Sequence, residues 1–423
     1  MRDRHDTSPP RVAYFIDGVL IPERDGASAR FSRLPSAIAR AGIDVFVFHA
    51  FRGWSDLDRI SREPFSTFFF PPETYYNDLS LITALVQRER IDIVQFHDLE
   101  TVLKIGVPLA NATGVKVAFE AIYHSSTLAG QLGLPAAEVG ALVALEHLVA
   151  GTTDLLVTLT EPDRARWVTL SGAPSDRVRV LPFGVESPLA TSGHNWIARP
   201  SIVFLGNCYF EPNRRALRRI LQEIWPPIRS HHGDATCLVI GQVPREWKAA
   251  CTEAGITLVG EVPDPETYLR QSSIGLAPVF EGSGVRVKLI HYISAGLPAI
   301  AASMAAEGLD LPAITLSDST SEYPGIVSKM LEDASRVRES IRDSQQRLAD
   351  SFTWDRIALA AAHAYHWVIT SPPQQRALHH SANVGVPMWL AETLRSGRFA
   401  DGDIGPSTSY RYGVAAHGHI RMY

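Results

Sequence analysis

Short, almost continuously apolar runs alternate with amphipathic stretches along most of this chain, and nothing else in it constrains the fold so strongly. RVAYFI (11–16), DVFVFHA (44–50), DIVQFHD (92–98), VKVAFEAIYH (115–124) and DLLVTLT (154–160) each suit one strand bounded by polar, Gly or Pro residues. Helix-like stretches such as SRLPSAIARAG (32–42) and LSLITALVQRER (79–90) lie between them. A strand that is apolar on both faces must be covered on both faces, which is the situation of parallel strands joined by helices. The pattern therefore predicts an α/β fold with a doubly wound sheet.

The alternation breaks at SPLATSGHNWIARP (187–200), a Ser-, Pro- and Gly-rich stretch that reads as a linker. It resumes with SIVFLGN (201–207), ATCLVIG (235–241), ITLVGEV (256–262), SIGLAPV (273–279) and PAIAAS (298–303), with the helix-like RRALRRILQEIW (214–225) between the first two. A chain of 423 residues is too long for one ordinary core. The expected order is thus a domain over 1–186, a linker over 187–200 and a second domain over 201–353. A helix over 354–370 and a tail over 371–423 follow. The tail carries Trp389, Tyr410, Tyr412 and Tyr423, a composition that fits packing, a partner contact or pairing of two chains better than plain disorder. Two such domains would place two sets of strand C-termini around a cleft, where open α/β sheets bind ligands.

A net charge of −5 argues against a nucleic-acid partner, which needs a basic surface. Three cysteines without metal spacing point to a reducing compartment and to no structural zinc. No run approaches the ~20 apolar residues of a membrane span, and the first residues, MRDRHDTSPPR, lack an apolar signal core. A cytoplasmic protein without stable membrane insertion is the expectation. Only five of the 40 basic residues are lysines, so a lysine in a motif is less readily explained by codon drift.

One of those lysines lies in EGSGVRVKLIHYISAGLP (281–298). A glycine loop that follows a strand and enters a helix offers free backbone N–H groups and a positive dipole end, both suited to a phosphate. Helical spacing from Gly284 to Ser294 would set Gly284, Lys288, His291 and Ala295 on one stripe, with an ammonium and an imidazole one turn behind the loop. Arg286 either reaches the same anion or points elsewhere. By local chemistry alone the stretch fits a phosphate site and a solvated helix equally.

The segment GSGVRVKLIHYISAGLPAIAASMAAEGL (282–309) closely resembles the donor-binding segment of retaining GT-B glycosyltransferases of the family 4 type. SIVFLGNCYFEPNRRAL (201–217) resembles the first strand and loop of that family's donor domain. DLLVTLTEPDRARWVTLSGAPSDRVRVLPFGVE (154–186) resembles the segment closing its first domain. The resemblance runs over nearly residues 11–370 and implies a GT-B fold: two Rossmann-like domains facing a cleft, acceptor side first, with the C-terminal helix crossing back. It further implies transfer of a sugar from a nucleotide-sugar, by family frequency a UDP-sugar, to an acceptor hydroxyl. Configuration would be retained, with no metal and no cofactor beyond the co-substrate. By the same carry-over Lys288 is the main diphosphate cation and Arg286 the second. Gly282, Ser283, Gly284, Glu281, His291 and Asn207 surround the donor.

The family commonly carries two glutamates with seven residues between them here. This chain has Ser283 and His291 at those positions, with Glu281 two residues earlier. The first-domain loop RDGASARF (24–31) holds one glycine, Gly26, where the family has two. On the acceptor side His124 in EAIYHSS resembles the histidine that contacts the donor sugar, and His97-Asp98 in QFHDLE resembles a second cleft pair. The order of expectation is His124, His97, then His49, with Asp17 and Gly18 as weaker cleft candidates. His231-His232 and His379-His380 lack partners at metal-ligand spacing and read as surface residues. The arginine skew fits a GC-rich genome, and the absence of a membrane-binding segment favours a small soluble acceptor such as an aminocyclitol or another natural-product aglycone. A nucleotide-sugar epimerase or pseudo-glycosyltransferase of the same fold, and a catalytically silent nucleotide-sugar-binding protein, are the alternatives.

Overall fold

A computed structural model describes residues 8–21, 23, 26–52, 55–186, 196, 198–284 and 286–374. Two compact units divide the chain. Among the described residues, those up to Pro182 and those from Trp354 to Gln374 form the first, and Phe183–Thr353 form the second. The division falls ahead of the boundary expected at 186 because Val185 already belongs to the second unit. Its N–H donates to the Phe352 carbonyl at 2.7 Å, and it bridges to Thr353. Apart from Trp196 and residues 198–200, the expected linker lies outside the described residues, as does the tail beyond Gln374.

The first unit is built on seven strands: β1 (Arg11–Asp17), β2 (Asp44–Ala50), β3 (Ser66–Phe70), β4 (Ile93–Phe96), β5 (Lys116–Ala121), β6 (Leu155–Thr158) and β7 (Val178–Val180). They lie in the order β3-β2-β1-β4-β5-β6-β7, and every neighbouring pair is parallel. The five expected strands are all present. The edge strands β3 and β7 were not legible, since a short edge strand is covered on fewer sides and lacks the continuous apolar run. Phe15, Phe48 and Phe96 stack across β1, β2 and β4, with centroids 4.9 and 4.5 Å from Phe15. The helix Trp354–Thr370 lies against the helix Gly26–Arg40 of this unit. Tyr365 on it shares a hydrogen bond with the Tyr14 hydroxyl at 2.5 Å and donates to Gln95 Oε1 at 2.7 Å.

The second unit holds β8 (Ser201–Leu205), β9 (Thr236–Ile240), β10 (Ile256–Gly260), β11 (Ile274–Ala277), β12 (Ala299–Ala301) and β13 (Ile314–Leu316). Their order is β10-β9-β8-β11-β12-β13, again parallel throughout. The helix Glu211–Arg219 runs through a π turn, Ile220–Ile224, into Trp225–His231. Buried Trp196 donates its indole N–H to the Ser273 carbonyl at 2.5 Å, which fixes the entering chain beside β11.

Each unit thus has a point where the strand order reverses: between β1 and β4 in the first, between β8 and β11 in the second. Open parallel sheets bind ligands outside the carboxyl ends of the strands at such points. Asp17 and His97 follow one reversal. Asn207 and the glycine loop follow the other.

Candidate active site

In the second unit β11 ends at Ala277 and the glycine loop follows. Gly282 has φ +133° and Gly284 φ +81°, values that favour glycine. The helix begins at Val287 with Arg286 as its N-cap residue, so Gly284 precedes it instead of heading the expected stripe. A left-handed residue cannot continue a right-handed helix, which is why the start lies later than the spacing predicts. The stripe is also divided. Lys288 is buried with Leu289, Tyr292 and Ile293 against the sheet, whereas His291 falls past the edge of that buried face and is exposed.

Lys288 Nζ donates to Asn213 Oδ1 at 2.8 Å and lies 4.0 Å from the Phe204 ring centroid. Burial lowers its pKa to about 7, and the nearby Arg286 charge pushes the same way. Among the described residues no carboxylate pairs with this ammonium. Asn213, in the first turn of the helix Glu211–Arg219, also donates through Nδ2 to the Asn207 carbonyl at 2.9 Å. A Cβ on Gly206 would lie 3.0 Å from both Lys288 Nζ and Asn213 Nδ2, so the three pack without room for a side chain. Asn207 Oδ1 accepts from the Tyr209 N–H at 2.9 Å.

Arg286 makes its hydrogen bonds within the loop itself. Its guanidinium turns under the loop, donating to the Ser283 carbonyl at 2.9 Å and the Glu281 carbonyl at 3.2 Å, and a Cβ at Gly282 would overlap it. Arg286 therefore shapes the loop from beneath. Ser283 is buried in that loop. The Glu281 carboxylate is held by Arg219 at 2.5 and 3.1 Å, with Arg215 at 3.6 Å.

In the first unit the loop expected over 24–31 is helical from Gly26 onward, and residues 24 and 25 lie outside the described set. Helix formation there carries Arg30 to Glu120 on β5. The two buried side chains pair at 2.5 Å, and Arg30 also donates to the carbonyls of Pro182 at 2.6 Å and Leu181 at 2.9 Å. Burial pushes the Glu120 carboxyl up, but Arg30 and His97 pull it down to about 2. His97 Nδ1 lies 3.0 Å from Glu120 Oε2, with the ring 4.2 Å from Phe31 and 6.1 Å from Tyr14. Gln95 Nε2 donates to the same carboxylate at 3.1 Å.

His124 is placed differently from the expectation. It is buried at 1 % exposure, with Nε2 2.9 Å from Ser171 Oγ and Nδ1 2.9 Å from Thr127 Oγ1. Burial lowers its pKa to about 4, while burial raises its neighbour Glu146, 3.5 Å away, to about 7. Both ring nitrogens are engaged within the unit. Asp98 caps the helix that starts at Leu99, accepting from the Glu100 and Thr101 N–H groups at 2.9 and 3.0 Å. Asp17 accepts a bidentate pair from Arg52 at 2.9 and 3.0 Å and a hydrogen bond from Tyr76, and Gly18 follows at φ +130°. His49 is buried against Ser55 Oγ at 3.1 Å, and burial lowers its pKa to about 4.

His232 bonds Ser328 Oγ at 3.1 Å; His379 and His380 lie outside the described residues. Among the described residues no group of three or more His, Cys, Asp or Glu side chains could hold a metal ion, and no helix is long and apolar enough to cross a membrane. Sequence reasoning missed Asn213, Arg30 and Glu120. Glu120 did leave a signal, a lone carboxylate inside an apolar strand run, which has to find a cation once buried.

Solved structures with this architecture include a glycosyltransferase from Rickettsia africae ESF-5, with TM-score 0.67 and 10 % identity over 86 % of this chain and 100 % of that one. Sucrose-phosphate synthase from Thermosynechococcus elongatus gives 0.66 and 15 % over 85 % and 99 %. Anabaena HepE in complex with UDP-glucose gives 0.64 and 10 % over 84 % and 99 %. The fold is that of the GT-B glycosyltransferases. Two family models match the sequence: Glycosyl transferase 4-like domain over residues 25–184 and Glycosyl transferases group 1 over residues 199–322, together about two thirds of the chain. The chain carries a glycosyl transferase 4-like domain followed by a glycosyl transferases group 1 domain and is a glycosyltransferase. No curated sequence matches it.

Proposed function

We propose that this glycosyltransferase takes a UDP-sugar as donor and passes the sugar to a hydroxyl of a small soluble acceptor, with retained configuration and without a metal or other cofactor. The observation that carries the donor half is the Lys288 ammonium, buried at the strand-order reversal with an amide partner but no carboxylate. A buried charge without a counter-charge is costly, and a diphosphate supplies that charge. UDP is the nucleotide favoured because HepE was solved with UDP, with UDP and glucose and with UDP-glucose, and a trehalose-6-phosphate protein of E. coli with UDP-2-fluoro glucose.

In the reaction the bond from the anomeric carbon to the diphosphate oxygen breaks, and a bond to the acceptor oxygen forms on the same face. The acceptor proton passes to an oxygen of the departing diphosphate. Negative charge grows on that leaving group in the transition state, where a preorganised ammonium stabilises it without reorganisation. The Gly282–Gly284 backbone lines the donor. His97, held at Glu120, serves the acceptor side. An aminocyclitol or another natural-product aglycone is the acceptor class that fits this reading.

Calorimetric titration of the wild type and Lys288→Ala with UDP, GDP and dTDP, in chelator, tests the donor half. Tight binding of UDP alone, weakened about ten- to a hundredfold in the variant, is expected for loss of a charge-assisted phosphate contact. Equal UDP affinity in the two proteins would sink it. The anomeric configuration of the product, read by NMR, tests retention.

A further inference from the structure

The hydrogen bond that holds Lys288 comes from a neutral group, and that choice has a consequence. A buried lysine is ordinarily matched by a carboxylate. Here the matching position is Asn213, whose orientation is fixed from both ends. Nδ2 donates to the Asn207 carbonyl at 2.9 Å, so Oδ1 is the end that meets Lys288 Nζ at 2.8 Å. The position would also suit an acid. It lies in the first turn of the helix Glu211–Arg219, where a negative side chain is favourable. Gly206 closes the remaining side, since a Cβ there would sit 3.0 Å from both partners. Of the other cations nearby, Arg214 and Arg215 are matched by Glu211 and Arg219 by Glu281, while Arg286 donates to the Ser283 and Glu281 carbonyls. Lys288 is held by the Asn213 side-chain amide.

We infer that Asn213 is a specificity-determining residue of the donor site. Its amide orients the Lys288 ammonium while leaving the counter-charge to be supplied by the nucleoside diphosphate. This rests on the diphosphate reading of Lys288 given above. The low lysine pKa accords with it, because an ammonium short of negative neighbours is easily deprotonated and gains most from an arriving anion. An aspartate at 213 would neutralise the ammonium from within and compete with the ligand, at nearly unchanged volume but without the bond to the Asn207 carbonyl.

The test compares the wild type, Asn213→Asp, Asn213→Ala and Lys288→Ala for UDP by calorimetry and for uridine by ligand-observed NMR, with thermal melting as the check on folding. Asn213→Asp, in which the new ion pair with Lys288 opposes the loss of the bond to the Asn207 carbonyl, is expected to remain folded by thermal melting and to lose about tenfold or more in UDP affinity. It should keep wild-type affinity for uridine, which carries no phosphate. Asn213→Ala, which removes the orienting bond without adding charge, is expected to lose less UDP affinity than Asn213→Asp. Wild-type UDP affinity in Asn213→Asp, or equal losses for UDP and uridine, would overturn the inference. Lys288→Ala separates the two readings. If it binds UDP like the wild type, the diphosphate reading falls and the Asn213 inference with it. If Lys288→Ala loses UDP and Asn213→Asp does not, only the inference falls.

Discussion

The behaviour of Lys288 follows from where its ammonium is kept. An unfolded lysine titrates near 10.4, whereas burial lowers this one to about 7. Between those values the unfolded chain binds more protons than the folded one, so stability rises with pH across the window. The penalty for burying the charged form is fully present below about 7. Urea titrations at pH 6 and pH 9 should therefore show the wild type gaining relative to Lys288→Met at the higher pH; a difference independent of pH would contradict the burial. Ligand binding has the opposite preference, since a diphosphate needs the charged form. UDP binding at pH 8 should accordingly take up a proton, read from calorimetry in buffers of different ionisation enthalpy. In the first unit Glu120→Gln would leave the Arg30 guanidinium buried without its carboxylate, and a loss of about 3–5 kcal/mol in urea unfolding is expected. A loss under 1 kcal/mol would mean that the Leu181 and Pro182 carbonyls alone suffice.

Among the elements, the glycine loop and the last helix are the ones most exposed to single changes. Gly282→Ala combines an unfavourable φ of +133° with a Cβ that overlaps the Arg286 guanidinium, so the loop must shift. UDP affinity should fall while the melting temperature changes little, because the shift stays in the loop. Tyr365→Phe removes the hydroxyl that joins Tyr14 and Gln95, leaving buried polar atoms without it. About 1–3 kcal/mol is the expected cost, measured by denaturant titration. The central strands and the helix Trp354–Thr370 were legible because buried parallel strands and amphipathic helices write their periods directly into the apolar pattern. The edge strands β3 and β7 and the start of the helix at Val287 were not, because pairing at a sheet edge and a left-handed glycine leave no period behind.

At the scale of the whole molecule, the two units differ in how their chain is supplied. Among the described residues the second unit is one continuous stretch, Phe183–Thr353, whereas the first includes the returning helix Trp354–Thr370. A chain ending at Thr353 should lose the calorimetric transition of the first unit and keep that of the second. Simultaneous loss of both transitions would show that neither unit folds without the other.

The sequence by itself determined the α/β class, the two-part organisation and the family, and singled out Lys288 as a candidate, because apolar period and motif order are properties of consecutive residues. It placed His97 near a strand end and flagged Glu281 and the glycine loop. Only the tertiary structure decided that Asn213 holds Lys288, that Arg286 braces the loop, and that His124 is buried with both nitrogens engaged. Those outcomes join residues such as 213 and 288, or 30 and 120, that are far apart in the chain. Whether a polar side chain meets solvent, ligand or a buried partner depends on what long-range packing brings against it, and no local pattern records that.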